Sequence, residues 1–316
     1  MKLLFILDPI ASLKVYKDSS LAIMHEAHRR GHHLYICEQH DIFLRQEKVH
    51  VSAYRFQFNV NEYNLEDLTE FSITDFNVVI NRKDPPFDNE YLYLTYLLEL
   101  ATRQGATVLN NPNSVRDWNE KLAVTFFPQF TPEFLVTAKE DLIRQFLSEH
   151  QDIVLKPLDG MGGHGIFKLK TDDANLSVIL ETATQFGTKT IMAQRYLPAI
   201  SRGDKRIIVI DGKPLDYALA RIPKAGETRG NLAAGGTGTA QLLTKKDREI
   251  AETIGKTLKQ KGLFLVGLDV IGEYLTEINV TSPTGMVEIA NQTDCKPAAI
   301  FMDALENYMS ARAHAA

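Results

Sequence analysis

Asp269, Glu277 and Asn279 stand in the segment LDVIGEYLTEINVTSPTG, on two runs made otherwise mostly of Val, Ile and Leu. Glu277 and Asn279 are two residues apart, so on a strand their side chains leave the same face. Charged groups on so apolar a strand need a partner. Hard oxygen donors in this number suit Mg2+, which takes a few carboxylate or amide oxygens and completes its shell with phosphate and water. An edge strand with an ordinary polar face is the competing reading. Lys156 lies on the apolar run IVLKPL, directly before the glycine loop GMGGHG at 160–165. A lysine so placed can neutralise the charge of a bound phosphate. Lys121 closes the helix-like stretch SVRDWNEK, which runs on into LAVTFF. Taken alone it is as readily a solvated surface lysine.

GMGGHG satisfies G-x-G-x-x-G, but that fingerprint has meaning only between a strand and the helix it opens. Here the alternating run IFKLK follows at once. The spacing therefore predicts a hairpin whose tip, with Gly162 and Gly163, can fold over phosphates by its backbone N–H groups. A plain flexible hairpin tip is the alternative. Asp8 follows the first apolar run and Arg82 follows FNVVIN. Both are expected at the carboxyl ends of parallel strands, where open α/β sheets bind ligands. An acid and a base facing one crevice suit a zwitterion. The segment 221–240, RIPKAGETRGNLAAGGTGTA, has glycines at 226, 230, 235, 236 and 238 and no large apolar residue beyond Leu232 after its first two positions. No buried helix or strand is expected there, and a mobile cover over a reactive intermediate would explain it.

The elements that must position these groups follow from periodicity. KLLFIL is a short buried strand, Asp18-Ser19-Ser20 is good helix-capping chemistry, and LAIMHEAHRRG is an amphipathic helix ended by Gly31. HLYICE, FNVVIN and ATVLN are further strands, with an apolar-rich helix over 89–104. Strands alternating with helices predict an open, mostly parallel sheet. Beyond about 116 the runs PEFLVT, DIVLKPL, GIFKLK and TIMAQRYL, with helices at 139–150 and about 175–186, predict an antiparallel α+β unit. In KRIIVIDGKPLDYALARI, Asp211-Gly212 is a strong hairpin signal. The helix of TKKDREIAETIGKTLKQKG, the strands LFLVGLDVIG and YLTEINV, and a long final helix complete the chain. The fold class is α/β followed by α+β, with units at 1–120, 121–200 and 201–316.

The chain has 316 residues, 24% charged, with a formal net charge of -5, which argues against nucleic-acid binding through a global positive field. Cys37 and Cys295 are far apart and form no metal-like spacing. The apolar start breaks at Asp8-Pro9 too early for a secretory signal, and no run approaches the roughly 20 apolar residues that span a bilayer. A cytoplasmic protein without a membrane partner is expected.

With these residues placed, the chain closely resembles the prokaryotic glutathione synthetase family of the ATP-grasp superfamily. The resemblance runs in order from LDPIASLKVYKDSS through NRKDPPFD, NEKL, LKPLDGMGGHGIF, QRYLPAI, GDKRIIVIDG and ARIPKAGETRGNLAAGG to LDVIG and LTEINVTSPTG. It implies ligation of γ-glutamylcysteine and glycine with ATP and Mg2+, or Mn2+ in its place, through an acyl phosphate. It further implies that Lys121, Lys156, Gly162 and Gly163 meet the nucleotide phosphates, that Gln194, Tyr196 and Leu197 meet adenine, and that Asp204 meets the ribose. Asp269, Glu277 and Asn279 match the family's metal ligands. Asp8, Arg82 and Arg206 would hold γ-glutamylcysteine, and Arg221 and Arg229 would serve glycine. Ser19 and Asn231 are further expected substrate contacts, and Arg206 and Arg229 the expected catalytic groups. Thr237 departs from the basic residue expected after AAGG. A homo-oligomer, with a tetramer as one size, is the expected assembly. The competing readings are an ATP-grasp carboxylate–amine ligase acting on another amine or γ-glutamyl peptide, and a nucleotide-gated binding protein without turnover.

Overall fold

A computed structural model describes residues 1–14, 16–59, 63–224, 226, 230 and 235–315. The N-terminal part opens as expected: β1 (Lys2–Ile6), α1 (Ser19–Arg29) and β2 (His33–Cys37) form a parallel β-α-β unit. The Asp18 carboxylate caps α1 by accepting from the Leu21 N–H at 2.8 Å. The chain continues through β3 (Ile42–Arg45), β4 (Lys48–Phe58), β5 (Tyr63–Leu65), β6 (Thr69–Ser72), β7 (Val78–Asn81), α2 (Asn89–Arg103) and β8 (Val108–Leu109). The strands β2-β1-β7-β8 are parallel, while β4 runs antiparallel to β2 and carries β3, β5 and β6 along its edges. The parallel core expected of this open sheet is present, and β4 with the strands along its edges makes the whole sheet mixed. Between 42 and 72 no long helix intervenes, so each strand turns straight back on its neighbour, as only antiparallel pairs can.

α3 (Pro112–Asp117) is shorter than the helix-like stretch predicts. Asn119 interrupts it: its side-chain oxygen accepts from the N–H groups of Lys121 and Leu122, at 3.1 Å each, and starts a separate turn. Beyond it, β9 (Phe134–Thr137), α4 (Glu140–His150), β10 (Asp152–Pro157), β11 (Phe167–Lys170), α5 (Leu176–Thr184) and β12 (Ile191–Arg195) form an antiparallel sheet of order β11-β10-β12-β9. Its core of Ile143, Leu155, Leu169, Leu180 and Ala193 is its own. Then β13 (Asp204–Ile210), β14 (Lys213–Ile222), β15 (Thr237–Leu242), α6 (Lys245–Gln260), β16 (Leu265–Ile271) and β17 (Tyr274–Asn279) form an antiparallel sheet of order β15-β14-β13-β16-β17. The hairpin at Asp211-Gly212 has φ of 46° and 79°, the two positive values that a tight two-residue turn requires. The helices α7 (Met286–Gln292) and α8 (Pro297–Ala315) close the chain. Phe5 and Met24 of the N-terminal part share one apolar cluster with Ile208, Phe264 and Met302.

The segment 221–240 carries strand at both ends, against expectation: Arg221 and Ile222 end β14, and Thr237 to Ala240 begin β15. Arg221 pairs with Gly238 and Ile222 with Thr237. Backbone ladders need no large apolar side chain, so composition alone misjudges these positions. Arg229 and Asn231 lie outside the described residues.

α6 is anchored by a capping box between Thr244 and Asp247. Asp247 is fully buried and ion-pairs with Lys205, whose Nζ also donates to the Gly272 carbonyl at 3.0 Å. Replacing Asp247 by Ala strands a buried ammonium and removes the cap. A loss of about 3–5 kcal/mol is expected, to be measured as a lowered urea midpoint. A shift below a third of that would show the pair to be dispensable.

Candidate active site

A cavity of about 560 Å³ lies where the three sheets meet. Strand register explains its floor. Arg206 on β13 pairs with Asp269 on β16, which pairs with Glu277 on β17. Asp204, two before Arg206, pairs with Arg221 on β14. Residues directly opposite share a face, and so do residues two apart. Asp204, Arg206, Arg221, Asp269, Glu277 and Asn279 therefore project together. The alternate positions Ile207, Val209, Leu268, Val270 and Ile278 face the other way, into a core covered by α6. Gly267 leaves room for this row: a Cβ there would lie 2.8 Å from both Arg206 Cδ and Pro283 Cβ.

The charges on this floor are mutually compensated. Asp269 accepts from Arg206 Nε at 2.5 Å and Nη2 at 3.0 Å, and Arg221 Nη2 stands 2.8 Å from its Oδ2. Burial alone would push its carboxyl up, but the two guanidiniums outweigh that and hold it well below the usual carboxylate range. Asp204 also pairs with Arg221, yet its Oδ1 is buried without a partner among the described residues. Burial pushes it up to about 6, with Arg221 opposing. Asn279 donates through Nδ2 to the Gly267 carbonyl at 3.3 Å, which leaves Oδ1 as its acceptor.

The opposite wall comes from the four-stranded sheet. β10 and β11 form the expected hairpin, and φ is +63° at Gly162, +81° at Gly163 and +68° at Gly165, where residues with a Cβ are strained. Lys156 is buried in the wall, with no carboxylate at ion-pair distance among the described residues, and burial pulls its ammonium below the ordinary lysine value. Gln194 pairs with Val154 across β12 and β10, and its Nε2 is buried and unpartnered among the described residues. Tyr196 and Leu197 follow it along the wall, with the Lys168 ammonium 3.5 Å from the Tyr196 ring centroid. Lys121, only 3% exposed, is not a surface lysine. Its Nζ donates to the Gly160 carbonyl at 2.7 Å and stands 3.9 Å from Glu277 Oε1.

The third wall belongs to the N-terminal sheet. Asp8 lines the cavity, bonded to Lys83 Nζ at 2.8 Å and to the Asp84 N–H at 2.9 Å. Arg82 and Ser19 lie behind the wall. Arg82 donates to Ser20 Oγ at 2.9 Å and to the Pro283 carbonyl at 2.8 Å, with Nη1 buried and unpartnered among the described residues. Ser19 is fully buried, and its Oγ accepts from the Met286 N–H at 3.4 Å. Residue types alone passed over Lys17, Asp84, Glu120, Ser282 and Glu288, which also line the cavity. Asp84 and Glu120 lie inside the motifs NRKDPPFD and NEKL, whereas nothing local marks Glu288 on α7.

The donor set fits a divalent cation shared with phosphates. Glu277 and Asn279, whose Oδ1 is bonded to no other described residue, line the cavity beside two lysines, and Asp269 stands next in the row. Among the described residues no cluster of three or more His, Cys, Asp or Glu forms a metal cage. A cation here would thus complete its shell with phosphate oxygens and water, as Mg2+ does.

A family model described as the prokaryotic glutathione synthetase N-terminal domain matches residues 1–116, and one described as the ATP-grasp domain of that family matches 120–294. The glutathione synthetase of Nitrosomonas europaea is 58% identical over 312 residues, covering 97% of this chain and 98% of that protein. Among solved structures, the D-cycloserine synthetase DcsG aligns with a TM-score of 0.68 at 13% identity, over 97% of this chain and 99% of that one. The ATP-grasp ligase PsnB, complexed with Mg, ADP and a variant of its minimal precursor, aligns with a TM-score of 0.63 at 16% identity, over 96% and 97%. These two likenesses concern the fold. The two domain matches and the near end-to-end identity go further, and by them the chain belongs to the prokaryotic glutathione synthetase family.

Proposed function

We propose that this cavity joins γ-glutamylcysteine to glycine with ATP, through an acyl phosphate on the cysteinyl carboxylate. The observation that carries the reading is the row of Arg206, Asp269, Glu277 and Asn279 facing Lys121 and Lys156 across one cavity. A carboxylate does not acylate an amine in neutral water, because its leaving group would be oxide. When its oxygen attacks the γ-phosphorus, a C–O–P linkage forms and the bond to ADP breaks. The glycine nitrogen then attacks the carbonyl carbon, phosphate leaves, and the amine proton goes to solvent or to that phosphate.

Lys121 and Lys156 neutralise phosphate charge as it moves from nucleotide to carboxylate. Arg206, held flat by Asp269, is aimed to stabilise the oxyanion formed when the amine attacks. Gly162 and Gly163 present backbone N–H groups to the phosphates, Gln194, Tyr196 and Leu197 border the adenine, and Asp204 the ribose. Glu277 and Asn279, with Asp269 beside them, would hold Mg2+, with Mn2+ as an alternative. A bound cation would supply neutralisation of the phosphate charge. Asp8, and Arg82 from beneath, serve γ-glutamylcysteine, and Arg221 the glycine end. Arg229 and Asn231 are assigned to substrate by family pattern alone. Units at 1–120, 121–200 and 201–316 are the working division. We assign 121–200 as a lid subdomain over the nucleotide, a reading supported by its separate apolar core. No helix among the described residues is long and apolar enough to cross a membrane. A cytoplasmic homo-oligomer, tetrameric as one option, completes the proposal.

The test incubates the protein with ATP, Mg2+ and γ-glutamylcysteine and follows ADP release as candidate amines are added. Glycine is expected to stimulate release and to appear in the tripeptide. Stimulation by a different amine, with glycine inert, would overturn the assignment in favour of another ATP-grasp ligase.

A further inference from the structure

The tripeptide Asn119-Glu120-Lys121 connects parts of the site that come from different sheets. Asn119 Nδ2 donates to the Leu158 carbonyl at 2.9 Å, and Lys121 Nζ to the Gly160 carbonyl at 2.7 Å, both at the base of the glycine hairpin. Glu120 reaches the other way. Its backbone carbonyl accepts from the Ile278 N–H at 2.8 Å, and its Oε1 accepts from the Thr281 hydroxyl at 2.7 Å. These two contacts bracket Asn279 and follow directly on Glu277. Glu120 has no strong cation partner of its own: Lys121 binds elsewhere, and no ion pair to Glu120 occurs among the described residues. Glu120 lines both the main cavity and a small one behind the hairpin base, as does Thr281.

We infer that Glu120 is a positioning residue: by clasping Ile278 and Thr281 it holds the oxygen-donor strand in register with Lys121, so that cation and phosphates are met as one unit. The inference rests on the reading of Glu277 and Asn279 as metal ligands and of Lys121 as a phosphate contact. The side-chain half of the clasp depends on an oxygen acceptor opposite a hydroxyl, and that chemistry separates it from simple packing. A glutamine keeps the acceptor, an alanine removes it, and a valine at 281 removes the donor at nearly constant volume.

The readout is ADP binding by calorimetry, at saturating Mg2+ and again in EDTA, with no other substrate present. In the parent, Mg2+ is expected to strengthen ADP binding, and the factor by which it does so is the quantity compared. Glu120→Ala is expected to reduce that factor roughly tenfold or more, the usual scale for losing a group that orients a metal ligand. Affinity in EDTA and the KM for γ-glutamylcysteine stay near parental values. Glu120→Gln is expected to restore the Mg2+ effect, and Thr281→Val to reproduce the alanine loss. An undiminished Mg2+ effect in Glu120→Ala overturns the inference. So does an equal loss of ADP affinity with and without Mg2+, or a glutamine variant no better than alanine. Should Glu120→Ala fail to fold, Thr281→Val decides by the same measure. Glu277→Ala serves as the control for the underlying reading. If it retains the full Mg2+ effect, the metal assignment itself fails and the inference with it. If it loses the effect while Glu120→Ala does not, only the inference fails.

Discussion

Glu277→Ala is expected to lower turnover by about a thousandfold or more, with thermal unfolding of the ligand-free protein within about 2 °C of the parent. The two halves have separate causes. Glu277 faces the cavity, and among the described residues its nearest cation is Lys121 Nζ at 3.9 Å. Its removal therefore breaks no short ion pair among the described residues and opens no hole in the core. Changes of that kind usually cost within about 0.5 kcal/mol, which for a chain of this length moves the midpoint by a degree or two. Catalysis is different, because the phosphates carry several negative charges into the cavity. A cation stabilises the transferring group by several kcal/mol, and about 4 kcal/mol already corresponds to a thousandfold in rate. The measurement pairs ADP release with a thermal melt. Turnover near the parental rate would refute the metal assignment, and a large drop in melting temperature would show that Glu277 is structural.

Lys156→Met should move stability and activity in opposite directions. The parental ammonium is buried on β10 with no carboxylate at ion-pair distance among the described residues. Its nearest compensation is the more distant field of Glu277, Asp204 and Asp269, which burial outweighs. An unpaired buried charge is costly, and methionine fills a similar volume without it. The ligand-free variant is expected to be more stable by roughly 1–3 kcal/mol. The KM for ATP should rise about 10–100-fold, since a hydrogen bond to a charged group contributes about 1.5–3 kcal/mol. The gap has a pH signature. With the folded-state pKa below the ordinary lysine value, both states are protonated at low pH and the parent carries the whole penalty. As pH rises through the folded-state value toward the unfolded one, the unfolded chain binds more protons, so the parent gains stability and the gap narrows. Chemical denaturation of parent and variant across the neutral to alkaline range checks this. A variant less stable than its parent at neutral pH would show that Lys156 is not the strained cation described.

Local spacing alone accounts for several features of the site. GMGGHG followed at once by IFKLK rules out a helix and specifies a hairpin, because the alternating run requires the period of a strand. Glu277 and Asn279 share a face because they are two apart on a strand, wherever that strand lies. The capping of α1 by Asp18 and the turn at Asp211-Gly212 are equally local. Other features depend on side-chain and strand partners that periodicity does not show. The short edge strands of 42–72 exist because β4 is there to pair with them. The helix after Pro112 ends early because the Asn119 side chain competes for the next N–H groups. Arg221 and Gly238 are strand because their backbones face each other across a ladder.

The residue types determined the chemistry available, which is two lysines, hard oxygen donors and a glycine loop suited to phosphate. Which of them meet was a matter of register and packing. Asp269 lies opposite Arg206 only because β13 and β16 pair antiparallel in one particular register, and a slip of one residue would turn either strand's row into the core. Arg82 and Ser19, written beside cavity residues, end up behind the wall because Arg82 binds Ser20 of α1 and the Pro283 carbonyl, while Ser19, the first residue of α1, meets the start of α7. Lys121 reads as a surface lysine in its own neighbourhood and becomes a buried one when Gly160 and Glu277 arrive from two other sheets. Side-chain type and parity are properties of a short segment. Burial and partnership depend on residues tens to hundreds of positions away, and only the folded chain brings those together.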